Sequence, residues 1–161
     1  MPHDARQRLQ HLLVKGFTFI EILIVLMILG VVIAVSIPSY DRYIERARVV
    51  EAVADIGTMS AKIKQREMSS GALPDGLADV GYAGKRDPWG MPYEYVNLYN
   101  SKGNGTARKD KKLAPLNSDF DLYSIGRDGA TAASLGNKAS RDDVVRARDG
   151  GFVGLAEEFD P

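Results

Sequence analysis

Gly16-Phe17-Thr-Phe-Ile-Glu21-Ile-Leu-Ile-Val-Leu-Met-Ile-Leu-Gly30-Val-Val-Ile-Ala-Val-Ser-Ile37-Pro38 decides the fold of this chain. Between Phe17 and Ile37 the one charged residue is Glu21. Twenty-one helical residues at about 1.5 Å each reach roughly 31 Å, which matches a hydrocarbon core of about 30 Å. The stretch is therefore read as a membrane-spanning helix. The remainder has a different character, because thirteen of the sixteen glycines lie beyond residue 70. An apolar stem carries a turn-rich head.

Upstream of the stem, Arg6, Arg8 and Lys15 face a single acid, Asp4. A basic leader before an apolar run holds the N-terminus in the cytoplasm and sends the chain beyond the run across the membrane. A secretory signal peptide has the same outline, with Ala34-Val35-Ser36 as its small-residue cleavage site. Glu21 argues against that alternative. A carboxylate inside a membrane segment costs about 2.5 to 3.5 kcal/mol, so a chain that keeps one has a use for it.

Composition removes several classes of function. With 21 basic and 21 acidic residues the 161-residue chain has no basic excess to drive nucleic-acid binding, and none is expected. There is no cysteine, which excludes disulfides, thiol catalysis and thiolate metal sites. Both histidines, His3 and His11, precede Gly16, so a chain processed after that residue has no imidazole for acid-base or zinc chemistry. No phosphate-binding glycine loop is visible.

Beyond Pro38, residues 39–67 read as an amphipathic continuation of the helix. Tyr40, Tyr43, Ile44, Ala47, Val50 and Ala54 recur at spacings of three and four and form the face expected to pack on the head. Gly30 and Pro38 interrupt otherwise helix-forming sequence. Residues 68–86 are glycine-rich and aperiodic, a connecting loop. Asp87-Pro88-Trp89-Gly90 fits a type I turn. Strands are expected at 92–96, with Tyr93 and Tyr95 alternating, and at 119–125. Between them, 97–118 is polar and carries Arg108, Lys109, Lys111 and Lys112, a charge run read as a solvated loop, with contact to an acidic partner, DNA or anionic lipid as the alternative.

Gly16-Phe17-Thr18-Phe19-Ile20-Glu21, its basic leader and its apolar run resemble the leader and stem of type IV pilins and type II secretion pseudopilins. Asp87-Pro-Trp-Gly90 with Tyr93 and Tyr95, then Leu122-Tyr-Ser-Ile-Gly-Arg-Asp-Gly129 and paired acids, resemble the head of the G-type major pseudopilin. The long 97–118 insert and the 144–161 tail depart from that pattern.

The resemblance implies an α+β, pilin-like fold, with a long N-terminal membrane-spanning helix packed on a small antiparallel sheet and a loop-rich C-terminal region. It divides the chain into a leader over 1–16, a transmembrane and assembly segment over 17–38, a helical continuation over 39–67 and a periplasmic head over 68–161. It implies cleavage between Gly16 and Phe17 by a prepilin peptidase and methylation of the new Phe17 amine. The segment between Gly30 and Pro38 is then one that can melt in an assembled filament.

The subunit implied is not an enzyme. It sits in the inner membrane in a single pass and polymerises into a helical filament that drives export of folded proteins. Its partners are copies of itself, minor pseudopilins, and an inner-membrane assembly platform with its ATPase. A type IV pilin of a surface filament is the alternative. Glu21 gains a role in either filament. In a dry bundle of parallel stems its carboxylate needs the Phe17 ammonium of a neighbouring copy, and such pairs fix register because an unpaired charge costs about 3 to 5 kcal/mol.

The G-type likeness further implies a Ca2+ ion in the last loops. Carried over, Asp128, Asp142 and Asp143 supply carboxylates, and Ile125 and Ser140 supply carbonyls, oxygen donors of the kind Ca2+ takes. Ser140-Arg141-Asp142-Asp143 also reads as a helix start, with Ser140 as N-cap and acids in the first turn. Both readings stand at the level of sequence.

Overall fold

A computed structural model describes residues 16–100 and 107–160. The basic leader before Gly16, and Gly103 and Gly105 of the insert, lie outside the described residues. The chain divides into two compact units, Met1–Arg42 and Tyr43–Pro161, and one helix, α1 (Phe19–Ser70), contributes to both.

In the first unit α1 starts directly after Thr18 and continues through Gly30 and position 38 without a break. Every large apolar side chain from Phe17 to Ile37 is exposed. An apolar surface of that extent is stable only against lipid or other protein. The segment is long and apolar enough to cross a membrane.

In the second unit the helix buries one stripe. Ala52, Ile56, Met59 and Ile63, spaced by four, three and four, have no exposed surface, and Val49 and Val53 flank them. Full burial of each large aliphatic side chain contributes about 1.5–3 kcal/mol. Gly71 ends the helix. Its φ of 75° is the left-handed conformation that glycine adopts without a Cβ clash, and its N–H donates to the Glu67 carbonyl at 2.8 Å.

The buried stripe is not the one expected. Tyr43, Ala47, Val50 and Ala54 are exposed, Tyr43 by 69% and Val50 by 68%, and of that face Ile44 is half-buried. The packed stripe lies two positions further along, and at 100° per residue two positions place it nearly opposite. Small and apolar residues line both sides of this stretch. The stripe that wins extends to Ile56, Met59 and Ile63, where it meets the sheet with longer side chains.

The stripe packs on a four-stranded antiparallel meander, β1 (Glu94–Asn97), β2 (Phe120–Ser124), β3 (Val144–Ala147) and β4 (Phe152–Leu155), in spatial order β1-β2-β3-β4. Strands β1 and β2 fall within about two residues of the expected ones. Strands β3 and β4 lie in the tail, where no strand was expected. Each has four residues, and Val144-Val145-Arg146-Ala147 places a charge where an alternating pattern calls for an apolar residue. The expected helix start at Ser140 is not formed. A 3-10 turn over Lys138–Ser140, capped by Asn137 through Ala139 N, precedes β3.

Successive side chains of a strand point to opposite faces. Phe120, Leu122 and Val144 face the helix and join Leu73, Val80 and Tyr93 in the main core. On the other face, Val145 and Ala147 gather with Leu116, Leu135 and Ala156 in a second core, flanked by Leu113, Tyr123, Phe152 and Phe159. The insert supplies Leu113 and Leu116 to this core. It is pinned by Lys109 N to Ala133 O at 2.8 Å and Leu135 N to Lys109 O at 2.9 Å. The described part of the expected solvated loop, from residue 107 on, thus packs over the sheet. Arg108 is buried within it, while Lys109, Lys111 and Lys112 are exposed.

Candidate functional site

Two places carry the residues singled out in the sequence, the start of the stem and the C-terminal loops. At the first, Gly16, Phe17 and Thr18 precede α1 in non-helical backbone, and Phe17 is 80% exposed. A junction of this kind is accessible to a protease. The first turn of a helix leaves N–H groups without partners. Here Thr18 Oγ1 accepts from Glu21 N at 3.3 Å, and Glu21 Oε2 accepts from Thr18 N at 2.8 Å and from Thr18 Oγ1 at 2.9 Å. This is a capping box, and Thr-x-x-Glu before an apolar run is its sequence signature. Sequence reasoning identified Glu21 but missed Thr18, although the spacing was legible. In the isolated subunit Thr18 occupies the Glu21 carboxylate, which lies one turn inside the stem at the edge of its apolar surface.

At the second place, Ile125 leads from β2 into a turn over 126–129. Gly126 there has φ 68°, and a Cβ on it would lie 2.4 Å from the Asp142 carbonyl oxygen. Glycine lets the two loops touch. Asp142 Oδ2 accepts from Asp128 N at 3.0 Å, and Asp128 Oδ1 accepts from Ala130 N at 2.8 Å. Ser140 is buried, with its hydroxyl bridging Ala132 N and O at 2.9 Å each and its carbonyl accepting from Asp143 N at 3.3 Å.

Asp143 points elsewhere. Fully buried, its Oδ2 accepts from Thr131 Oγ1 at 2.6 Å and from Arg108 Nη2. Thr131 Oγ1 also accepts from Arg108 Nη1 at 2.8 Å. The structure therefore brings Asp128 and Asp142 together and turns Asp143 away from them. Among the described residues no group of three or more carboxylates or imidazoles is arranged to hold a metal. The set expected for Ca2+ does not converge in this structure, because a guanidinium from the insert occupies the third carboxylate.

A second buried charge lies on the helix-facing side. Arg146 donates to Asp119 Oδ1 at 2.8 Å and Oδ2 at 2.9 Å, to Phe120 O at 2.9 Å and to Asn117 Oδ1 at 3.2 Å. Its guanidinium carbon lies 3.9 Å from the Phe120 ring centroid, and Lys64 of α1 reaches Asp119 at 2.7 Å. Burial alone would raise the Asp119 carboxyl. The bonds from Arg146, Lys64 and Phe120 N outweigh it and hold the group well below the usual carboxylate range. Sequence reasoning named neither Arg146 nor Asp119. No local pattern joins them.

The turn at Asp87 links helix and sheet. Gly90 N donates to Asp87 O at 2.9 Å, and Asp87 Oδ1 accepts from Trp89 N at 3.0 Å and Met91 N at 2.8 Å. Asp87 Oδ2 accepts from Ser124 Oγ of β2, and Trp89 Nε1 donates to Glu45 Oε1 of α1 at 3.0 Å. Tyr93 Oη donates to Asp55 Oδ2 at 3.0 Å. These groups hold structure.

An apolar, exposed stem capped at a Gly-Phe junction, feeding a helix-backed meander, defines a pilin-like, filament-forming subunit with a membrane-anchor helix. Residues 13–37 match the prokaryotic N-terminal methylation motif. The chain is 31% identical to the type II secretion system core protein G of Pseudomonas aeruginosa over 142 residues, 74% of this chain and 88% of that one. It is 28% identical over 136 residues to a fimbrial protein of Neisseria meningitidis serogroup A, covering 84% of this chain and 80% of the relative. The type IV major pilin protein PilE1 of Neisseria gonorrhoeae is also 28% identical, over 144 residues and 86% of its length. No solved structure matches the chain. The chain belongs to the superfamily of type IV pilins and type II secretion pseudopilins, a family of structural filament subunits.

Proposed function

We propose that the chain is a major pseudopilin, polymerising into the periplasmic filament that drives export of folded proteins through a type II secretion system. The observation that carries this reading is the Asp87 turn. Asp87-Pro-Trp-Gly90 is the head motif of the G-type resemblance, and here it bonds both Glu45 of α1 and Ser124 of β2, the elements on either side of it. Core protein G of Pseudomonas aeruginosa, at 31% identity with 88% of its length covered, supports the same reading.

In this role a prepilin peptidase cleaves after Gly16, and the Phe17 amine is methylated. The stem anchors the subunit in the inner membrane with its head in the periplasm. The platform and its ATPase then lift it from lipid into a stack of copies, where minor pseudopilins join it. Glu21 exchanges its Thr18 partner for the Phe17 ammonium of a neighbour. Tyr43 and Val50, exposed on the face of α1 away from the sheet, are available to other copies. The alternative, a type IV pilin of a surface filament, is favoured by the fimbrial relatives, which cover 84% of this chain.

The test is replacement. The chain is produced in a Pseudomonas aeruginosa strain lacking its own core protein G, and in one lacking its major pilin. Restored export of secreted enzymes in the first supports the proposal. Surface pili in the second, without export in the first, would move the chain to the pilins.

A further inference from the structure

We infer that the Arg108 guanidinium is the built-in cation of the C-terminal loops, so that the head holds those loops together without Ca2+. The position of Arg108 carries the argument. Its backbone is fixed at both ends, with N donating to Asp121 Oδ2 of β2 at 2.7 Å and O accepting from Leu116 N at 2.8 Å. The guanidinium carbon lies 4.1 Å from the Tyr123 ring centroid. From there Nη1 and Nη2 reach Thr131, in the loop after β2, and Asp143, at the entry to β3. One side chain thereby ties β2, the loop that follows it and the start of β3, the segments that an ion held by Asp128, Asp142 and Asp143 would join.

Charge and geometry then weigh against a metal. Arg108 is 2% exposed, and a guanidinium does not lose its proton in proteins. A divalent ion on Asp143 would share one carboxylate with a buried positive charge, in surroundings that screen their repulsion poorly. Asp143 Oδ1, buried without a hydrogen-bond partner, is the acceptor left on that carboxylate. It offers one ligand where Ca2+ takes about six to eight. Asp142 Oδ2 and Asp128 Oδ1 already accept from the N–H groups of Asp128 and Ala130, which leaves one oxygen free of those bonds on each carboxylate. A planar fork also suits this place better than a sphere, since it bonds a hydroxyl and a carboxylate while stacking on an aromatic ring.

The experiment uses the full chain in detergent micelles, with unfolding of the head followed by the fluorescence of Trp89, the single tryptophan. Melts are recorded in excess Ca2+ and in chelator for the unaltered chain, Arg108→Gln and Asp128→Ala. The unaltered chain is expected to melt within about 1 °C in the two conditions, whereas a site saturated at a hundred times its Kd would separate them by on the order of 10 °C. Arg108→Gln is expected to melt at least about 10 °C lower in chelator, because it leaves Asp143 buried and unpaired. Asp128→Ala is expected to leave the comparison unchanged. A Ca2+-dependent rise in the unaltered chain that Asp128→Ala abolishes would overturn the inference, as would Arg108→Gln melting like the unaltered chain. The unaltered chain and Asp128→Ala decide the matter even where Arg108→Gln does not fold.

Discussion

Arg146→Met is the most searching change to the head. Arg146 is 2% exposed and makes four hydrogen bonds, two of them to Asp119, and its guanidinium stacks on Phe120. Methionine preserves much of the aliphatic volume and removes the charge, leaving Asp119 buried with Lys64 as its remaining cation. Orphaning one member of a buried pair costs about 3–5 kcal/mol, and the Lys64 contact at 2.7 Å places the expectation near the lower end, about 3 kcal/mol. Against a total stability of about 5–15 kcal/mol this lowers the melting midpoint by roughly 10–15 °C. Urea and thermal melts of the full chain, read by Trp89 fluorescence, give both numbers. The pair Arg146→Met with Asp119→Leu removes both charges and should recover more than half of the loss, since apolar replacement of a buried ion pair is close to neutral. A single variant losing less than about 1 kcal/mol, or a double variant no better than the single, would refute the account.

Three further outcomes are expected. Because the Asp119 carboxyl sits below its unfolded value, its contribution is full above about pH 4 and is lost as pH falls through the depressed folded value, so the stability gap between the unaltered chain and Asp119→Asn should close in urea melts taken below about pH 4. Gly126→Ala should cost at least about 2 kcal/mol in the same melts, because a left-handed φ and a Cβ 2.4 Å from the Asp142 carbonyl act together, while Gly129→Ala, with φ 66° and its nearest neighbour 3.5 Å away, should cost about 1 kcal/mol; equal losses would contradict the role given to loop contact. Glu21→Ala should still insert and be processed at Gly16, with filament yield in sheared fractions falling by about tenfold; normal yield would remove Glu21 from assembly.

Much of the chain was legible in order because the signals are local. The apolar run, Glu21 and the Gly16-Phe17 junction are read residue by residue, and the helix, the Asp87 turn and strands β1 and β2 come from periodicity and turn chemistry. The face of α1 that packs was not legible. Two stripes satisfy the same spacing between Tyr43 and Ile63, and the sheet selects the one ending in Ile56, Met59 and Ile63. Strands β3 and β4 escaped because four-residue strands with Arg146 at a core position carry no alternating pattern, and that arginine is tolerated only where Asp119, Asn117 and Phe120 supply its partners.

The C-terminal loops divide along the same line. Sequence by itself determined that Asp128, Asp142 and Asp143 are acids close together in the chain, and that no disulfide holds the loops around them. Which charge meets Asp143 was decided by tertiary structure alone. Arg108 lies thirty-five positions away in a segment whose composition reads as solvent-exposed, and it is buried because Leu113 and Leu116 fold that segment over the sheet. Burying a charge is tolerable only with its partner in place, and that partner is a property of the folded chain, not of any window of its sequence.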